Sequence, residues 1–349
     1  LKPEERFAFE NLIKRKDILK EEVVKTREVE LTPLGKKVIK KGVTDGKFID
    51  RLTSVMLKTG KWKGKSFREY DVEINVPRIY YGKRHFVNEA MDYVKRIWLE
   101  MGFTEMTGKL VDSSFWNFDA LFTSQDHPVR DTHDTFFIKG IKSNLKNKEL
   151  VERVKKTHED GWTTGSIGWR YDWSLDEAKK NVLRTHTTPL SVKEISRLKK
   201  EDLPAKFFSV GKCFRNETVD WSHGFEFNQT EGIVVDENAN FRQLLGYLIE
   251  FFKKMGYDKI RIRPGYFPYT EPSLEIDVFH PVHKKWVELG GAGMFRPEVT
   301  IPMFGRHIPV LAWGPGFDRI IMEFFEITDL RDMYRNDLNK LRDVKVWDK

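Results

Sequence analysis

The stretch Phe207 to Glu217 alternates like a β-strand, Thr218 to Gly224 is a polar loop with a glycine, and Phe225 to Val235 reads as a second strand. Strand side chains alternate between faces, so Arg215 and Glu217 share one face of the first strand. Phe227, Gln229 and Glu231 share one face of the second. If the hairpin brings these faces together, a guanidinium, two carboxylates, an amide and an aromatic ring converge. That set suits a nucleotide and an α-amino acid. Arg215 can hold a phosphate through bidentate charge-assisted hydrogen bonds. Phe227 can stack on a base, worth about 1–3 kcal/mol. Glu217 can accept from an exocyclic amine, and Glu231 can attract an ammonium group. Taken alone, Arg215 and Glu217 are better explained as an exposed cross-strand ion pair. The full order Phe214-Arg215-Asn216-Glu217, loop, His223-x-x-x-Phe227 reverses that preference.

About 100 residues further on, Gly314-Pro315-Gly316-Phe317-Asp318-Arg319 forms a glycine-rich turn entering the apolar stretch Ile320 to Phe325. By itself this is as often a helix cap with a surface arginine as a phosphate site. Between the two lies Tyr266-Phe267-Pro268-Tyr269-Thr270-Glu271-Pro272-Ser273. If Phe267 to Glu271 is extended, Phe267, Tyr269 and Glu271 face the same way, giving two rings and a carboxylate. Such rings add about 0.5–1.5 kcal/mol beyond area burial against a phenyl group. With 26 Phe in the chain, ordinary core aromatics explain them in isolation. Cys213 falls on the face of Arg215 and reads as a packed small residue rather than a reactive thiol.

The elements that must position these residues follow from periodicity. With 349 residues, 40% hydrophobic, the chain can bury one large core and a smaller appendage. Residues 4–26 carry Phe7, Phe9, Leu12, Ile13, Ile18 and Leu19 among Lys and Glu, as an amphipathic helix would. Residues 31–42 suit either the strand-and-wing end of a winged-helix module or a helical linker, and 61–82 a connector. Helices are expected from Glu89 to Met101, stopped by Gly102, and from Phe241 to Met255, stopped by Gly256. Another should run from a capping box at Ser191-Val192-Lys193-Glu194 to about residue 200. Strand-like segments fall at 205–215, 225–235, 258–263, 274–280, 285–290 and 307–313. Strands grouped this way predict an α+β fold, a largely antiparallel sheet flanked by helices. The division expected is 1–80, a helical or partial winged-helix region with connector, and 81–349, the catalytic domain.

Phe214 to Glu217 with His223 and Phe227 resembles motif 2 of class II aminoacyl-tRNA synthetases, and Gly314 to Arg319 resembles motif 3. Further segments resemble the archaeal and eukaryotic phenylalanyl-tRNA synthetase α subunits. These are Ser114 to Phe122, Gln125 to Asp131, Leu183-Arg184-Thr185-His186-Thr187-Thr188, Gln229-Thr230-Glu231-Gly232, Tyr266 to Ser273, Trp286 to Phe295 and Leu311 to Gly314. The resemblance implies ATP as substrate, with Arg215 at the α-phosphate and Arg319 at the γ-phosphate as the catalytic charges. Glu217, His223 and Phe227 would complete the ATP site. It implies an L-phenylalanine site of His186, Thr188, Gln229, Thr230, Glu231, Phe267, Tyr269, Phe295 and Ala312. Phe295 would close the pocket, small Ala312 would leave room for the ring, and His186 would orient the loop around Thr188. Mg²⁺ is implied as cofactor, with Glu271 a ligand at a site shared with a β subunit and Glu288 a further candidate. Magnesium needs only one or two carboxylates beside waters and phosphates; Glu275 reads as a solvated or ion-paired strand residue. The partners implied are a β subunit in an (αβ)₂ heterotetramer and tRNA(Phe), charged on the 2′-OH of its terminal adenosine. The proline usual in motif 1 is absent near Glu89 to Met106, and His85-Phe86 stands where relatives have His-Pro.

Composition sets wider bounds. A net charge of +8 and a pI of about 9.2 suit a polyanionic partner or, equally, a lysine-rich solvated surface. Cys213 is the single cysteine, which excludes an internal disulfide and suits a reducing compartment, so a cytoplasmic location is expected. No apolar run of about 20 residues suggests a membrane span. Leu1 at the first position suggests a start inside a longer product. Scarce Gln with abundant Lys and Glu suits a thermophile. Three rivals stay open. An O-phosphoseryl-tRNA synthetase would need a cationic pocket, an inactive synthetase-like RNA-binding subunit would not need a complete ATP site, and a winged-helix binder would explain only residues 1–45.

Overall fold

The computed structural model describes residues 2–13, 28–40, 48–69, 81–131, 134–221, 223–257, 259–280 and 284–346. The chain divides into two compact units, Leu1–Ile79 and Tyr80–Lys349. In the first, helices span Pro3–Ile13, Pro33–Lys40 and Ser54–Thr59, and two short parallel strands pair Phe48–Ile49 with Ser66–Phe67. The helix expected over 4–26 is present to Ile13; its continuation through Ile18 and Leu19 lies outside the described residues. Residues 33–40 are helical, so the strand-and-wing alternative for 31–42 is replaced by a helix whose first residue is proline, where a missing N–H costs nothing.

In the second unit the sheet strands are β1 Thr104–Glu105, β2 Ala205–Phe214, β3 Glu226–Val235, β4 Ile260–Pro264, β5 Thr270–His280, β6 Lys285–Phe295 and β7 Val310–Trp313. They lie in the order β1-β2-β3-β7-β6-β5-β4, antiparallel except for the β1–β2 pair. A separate three-stranded antiparallel sheet joins Val111–Ser113, Lys180–Leu183 and Phe137–Lys142. The strands β5 and β6 run further than the expected 274–280 and 285–290. Gly291 and Gly293 lie beyond the expected strand end, but pairing of β6 with β5 and β7 overrides their weak strand preference. Gly291 has a positive use there: any Cβ would collide with the Phe267 ring.

Helix α1, Phe86–Glu100, buries Phe86, Val87, Ala90, Val94, Ile97 and Trp98, a helical stripe. Helix α2, Thr188–Ile195, starts three residues before the expected capping box, with Pro189 in its first turn, so Ser191 is inside the helix rather than its cap. Helix α3, Phe241–Lys254, opens on a capping box of Asn240 and Gln243. Helix α4, Asp318–Phe324, follows β7. Trp98 stacks on Phe251 at 4.3 Å and on Trp313 at 5.2 Å, in one hydrophobic cluster. A second cluster gathers Phe115, Leu121, Val192, Ile195, Phe295 and Val299. Strand β3 feeds both: Val234 belongs to the first cluster, and Ile233 and Val235 to the second. That alternation decides which hairpin residues can reach a ligand. Among the described residues no helix is long and apolar enough to cross a membrane.

Candidate active site

Strands β2 and β3 pair with Cys213 opposite Phe227, Gly211 opposite Gln229 and Ser209 opposite Glu231. Opposed residues share a face, so small side chains on β2 leave space above Gln229 and Glu231. The segment 184–188 fills part of it. Arg184 Nε donates to the Lys212 carbonyl at 2.8 Å, and a Cβ on Gly211 would collide with its guanidinium. The Thr187 N–H donates to Gln229 Oε1 at 3.1 Å, and Gln229 Nε2 donates to the Gly314 carbonyl at 2.9 Å. Glu231 is 2% exposed. It accepts from the hydroxyls of Thr187 at 2.8 Å, Thr188 at 2.9 Å and Ser191. Burial pushes its carboxyl up to about 7, with the three hydroxyls opposing the shift.

A cavity of about 390 Å³ opens on this face. Its buried part presents Glu231, Gln229, Phe295 and Ala312. His186 also lines it. Burial, then the charges of Arg215 and Arg184, drops its imidazole to about 3, so it is neutral. Phe267 and Tyr269 stack at 6.0 Å, and Tyr269 meets Phe295 edge-on at 6.2 Å. These rings are not on an extended segment as expected. Phe267 pairs with Thr270 across a tight turn whose second residue is Pro268, whose fixed φ suits that place.

The exposed part of the cavity is charged. The Arg215 guanidinium lies 4.9 Å over the Phe227 ring, 3.8 Å from Glu217, and Nε donates to the Thr185 carbonyl at 3.4 Å. His223 pairs with Asp220 at 3.0 Å. Arg319 donates to the Glu288 carbonyl at 2.8 Å. Arg263 sits between two carboxylates that face the cavity, 2.7 Å from Glu275 and 3.5 Å from Glu288.

A ring-lined slot holding a buried carboxylate thus lies next to exposed arginines. The family described as tRNA synthetases class II core domain (F) matches residues 69–344. A phenylalanine–tRNA ligase alpha subunit of Methanopyrus kandleri is 45% identical over 341 residues, covering 97% of this chain and 65% of that protein. Those of Methanothermobacter thermautotrophicus and Archaeoglobus fulgidus are 43% and 45% identical, covering 99% and 97% of this chain and 67% and 69% of their own lengths. The chain belongs to the phenylalanine–tRNA ligase alpha-subunit family. It spans about two thirds of the length of these relatives. In fold it is similar to a pyrrolysyl-tRNA synthetase from Desulfitobacterium hafniense, with a TM-score of 0.50 at 16% identity over 72% of this chain and 74% of that one. The α+β class II architecture read from the sequence is the one observed.

Within this ligase-family chain, His186, Thr188, Arg215, Glu217, His223, Phe227, Gln229, Glu231, Phe267, Tyr269, Glu288, Phe295, Ala312 and Arg319 all border the one cavity. Two expected residues do not. Thr230 points to the other face of β3, where its hydroxyl accepts from Trp98 Nε1 at 2.9 Å. Glu271 is exposed and does not line the cavity. Glu275, read as an ion-paired strand residue, is ion-paired and also borders the cavity. Among the described residues no cage of three or more His, Cys, Asp or Glu forms, but Glu275 and Glu288 offer hard oxygen donors of the kind Mg²⁺ takes. Thr187 and Ser191 went unread as partners of Glu231. Counting helically from Thr188, which places Ser191 at i+3 on the same face, would have found one of them. Cys213 is buried, its thiol pushed up to about 12, in keeping with a packed residue.

Proposed function

We propose that this chain is the catalytic α subunit that activates L-phenylalanine with ATP, giving phenylalanyl-adenylate and pyrophosphate, and transfers it to the 2′-OH of the terminal adenosine of tRNA(Phe). The observation that carries this reading is Glu231, a buried carboxylate braced by three hydroxyls beside a slot of Phe267, Tyr269 and Phe295. The ammonium group pairs with Glu231 and Gln229, and the phenyl ring lies among the aromatics with Ala312 leaving it room. The amino-acid carboxylate then attacks the α-phosphate in line, the bond to pyrophosphate breaks, and no side chain needs to accept a proton. His186, neutral and desolvated, serves to line the site and is no general base. Arg215 neutralises the α-phosphate and Arg319 the γ-phosphate, so positioning and charge carry the rate. Phe227 stacks on the adenine, Glu217 accepts from its amine, and His223 steadies the phosphates.

Mg²⁺, when bound, offsets phosphate charge; Glu275 and Glu288 are its best-placed ligands in this chain, and Glu271 would serve only at a surface shared with a β subunit. The assembly proposed is (αβ)₂ in the cytoplasm, with residues 1–80 an appended helical region and 81–349 the catalytic domain. The test is amino-acid-dependent ATP–pyrophosphate exchange in the presence of the partner subunit. Exchange driven by phenylalanine is the expected result. Exchange driven by O-phosphoserine and not phenylalanine, or by no amino acid, overturns the reading.

A further inference from the structure

Behind the exposed part of the cavity lies a buried polar knot that no step above uses. Asp318 is 2% exposed. Its carboxylate accepts from the Asn228 backbone N–H at 3.1 Å, from Asn228 Nδ2 at 2.8 Å and from the Tyr334 hydroxyl. Asn228 Nδ2 also donates to the Tyr334 oxygen at 3.1 Å, and the Phe317 N–H donates to the Asn228 carbonyl at 2.8 Å. Three separate segments therefore meet on one carboxylate: strand β3, the start of α4 and the turn after Leu330. Their sequence neighbours are cavity residues. Phe227 and Gln229 flank Asn228, and Arg319 follows Asp318.

The turn that supplies Tyr334 also grips the hairpin loop. The Leu330 N–H donates to the Trp221 carbonyl at 2.9 Å, and Leu330 packs so close to Gly224 that a Cβ there would meet it. Lys212, paired with Glu226 at 3.0 Å, places its ammonium 5.3 Å over the Tyr334 ring. One short segment thus touches both the loop that follows Arg215 and carries His223 and the helix start that carries Arg319.

We infer that Tyr334 is a positioning residue for the nucleotide, holding the hairpin and the start of α4 at the separation at which Arg215 and Arg319 engage one triphosphate. The inference rests on the nucleotide part of the proposed function. Burial lifts the Asp318 carboxyl to about 6 against the pull of these donors, so losing one weakens the grip on its charged form. Glu231 and its hydroxyls make no contact with this knot among the bonds described, and the phenylalanine site is expected to stay intact.

The experiment is Tyr334→Phe in the assembled enzyme, which keeps the ring and removes the hydroxyl. The KM for ATP should rise roughly tenfold, the loss expected of one hydrogen bond to a buried charge. The KM for phenylalanine should stay within about twofold. Asp318→Asn, of equal volume, should produce the same split if Tyr334→Phe folds poorly. Equal rises in both KM values, or a lower Tm with an unchanged KM for ATP, would overturn the inference. Calorimetric binding of ATP without amino acid keeps it separable from the choice of substrate: the variant should bind more weakly even if no phenylalanine exchange is found, and equal binding refutes it.

Discussion

Glu231 and Arg319 border the same cavity and are held by different means. Glu231 is buried and accepts three hydroxyl hydrogen bonds from the first turn of α2 and its cap, Thr187 to Ser191. Arg319 is exposed and makes one described bond, to a backbone carbonyl. The buried part is organised by desolvation and hydrogen bonding before any ligand binds. The exposed part is a set of polar and charged side chains, Arg215, Glu217, His223 and Arg319, held mainly by pairs of modest worth in water. The difference matches the two ligands proposed for the site. A single ammonium and a ring need a fixed receptor, whereas a triphosphate brings enough charge to organise flexible side chains itself.

The sharpest way to break this contrast is Arg319→Ala. If Arg319 acts only when phosphates arrive, the free protein should not notice its loss, because the side chain is exposed. The exchange rate should fall by roughly a thousandfold or more, as when a charge aimed at a reacting phosphoryl group is removed. Far-UV circular dichroism and Tm should match the unaltered protein. Wild-type exchange in this variant would end its assigned role, and a collapsed Tm would show that the exposed part is structural after all.

Glu231→Gln probes the buried part. Removing its charge should raise the KM for phenylalanine by roughly a hundredfold with the KM for ATP little changed. The pH dependence has a definite sign. The folded carboxyl titrates at about 7, so below that pH it is protonated and cannot attract the ammonium group. In the unaltered protein the KM for phenylalanine should therefore drop as pH rises from about 6 to about 8, and in Glu231→Gln the profile should be flat over that range. The same shift acts on stability. Because the folded pKa stands above the ordinary value of 4.5, ionising Glu231 opposes folding, and its contribution declines as pH rises from about 4.5 to about 7.

How far each part was legible in the sequence follows from the range of the forces that build it. Period-two alternation along β2 and β3 is local, and it correctly put Phe227, Gln229 and Glu231 on one face. The same rule excludes Thr230 from that face, and reading Gln229-Thr230-Glu231 as one contiguous contact set ignored it; Trp98 claims that hydroxyl instead. The extended segment that would align Glu271 with Phe267 and Tyr269 is instead a turn with Pro268 at its second position, and Glu271 does not line the cavity. The full length of β6 was hidden because Gly291 and Gly293 are strand residues only through their neighbours. The knot of Asn228, Asp318 and Tyr334 joins residues 90 and 106 positions apart, a distance at which no local pattern speaks.

Ser191 is where a local pattern spoke wrongly, and it supplies the finest test of the contrast. Ser191 and Glu194 have the spacing of a capping box, so Ser191→Ala would be expected to fray a helix and do little else. In the structure the helix already starts at Thr188, and the Ser191 hydroxyl is spent on Glu231. Losing that donor leaves Thr187 and Thr188 to stabilise the carboxylate, so the Glu231 carboxyl should titrate higher than in the unaltered protein. Ser191→Ala should then raise the KM for phenylalanine roughly tenfold at pH 7, less than Glu231→Gln because the charge survives. Unlike that variant, it should recover most of the loss at higher pH, as the remaining carboxyl ionises. A KM that stays high at every pH would mean Ser191 contacts the amino acid directly rather than through Glu231. An unchanged KM with a lowered Tm would return Ser191 to a purely structural place in α2.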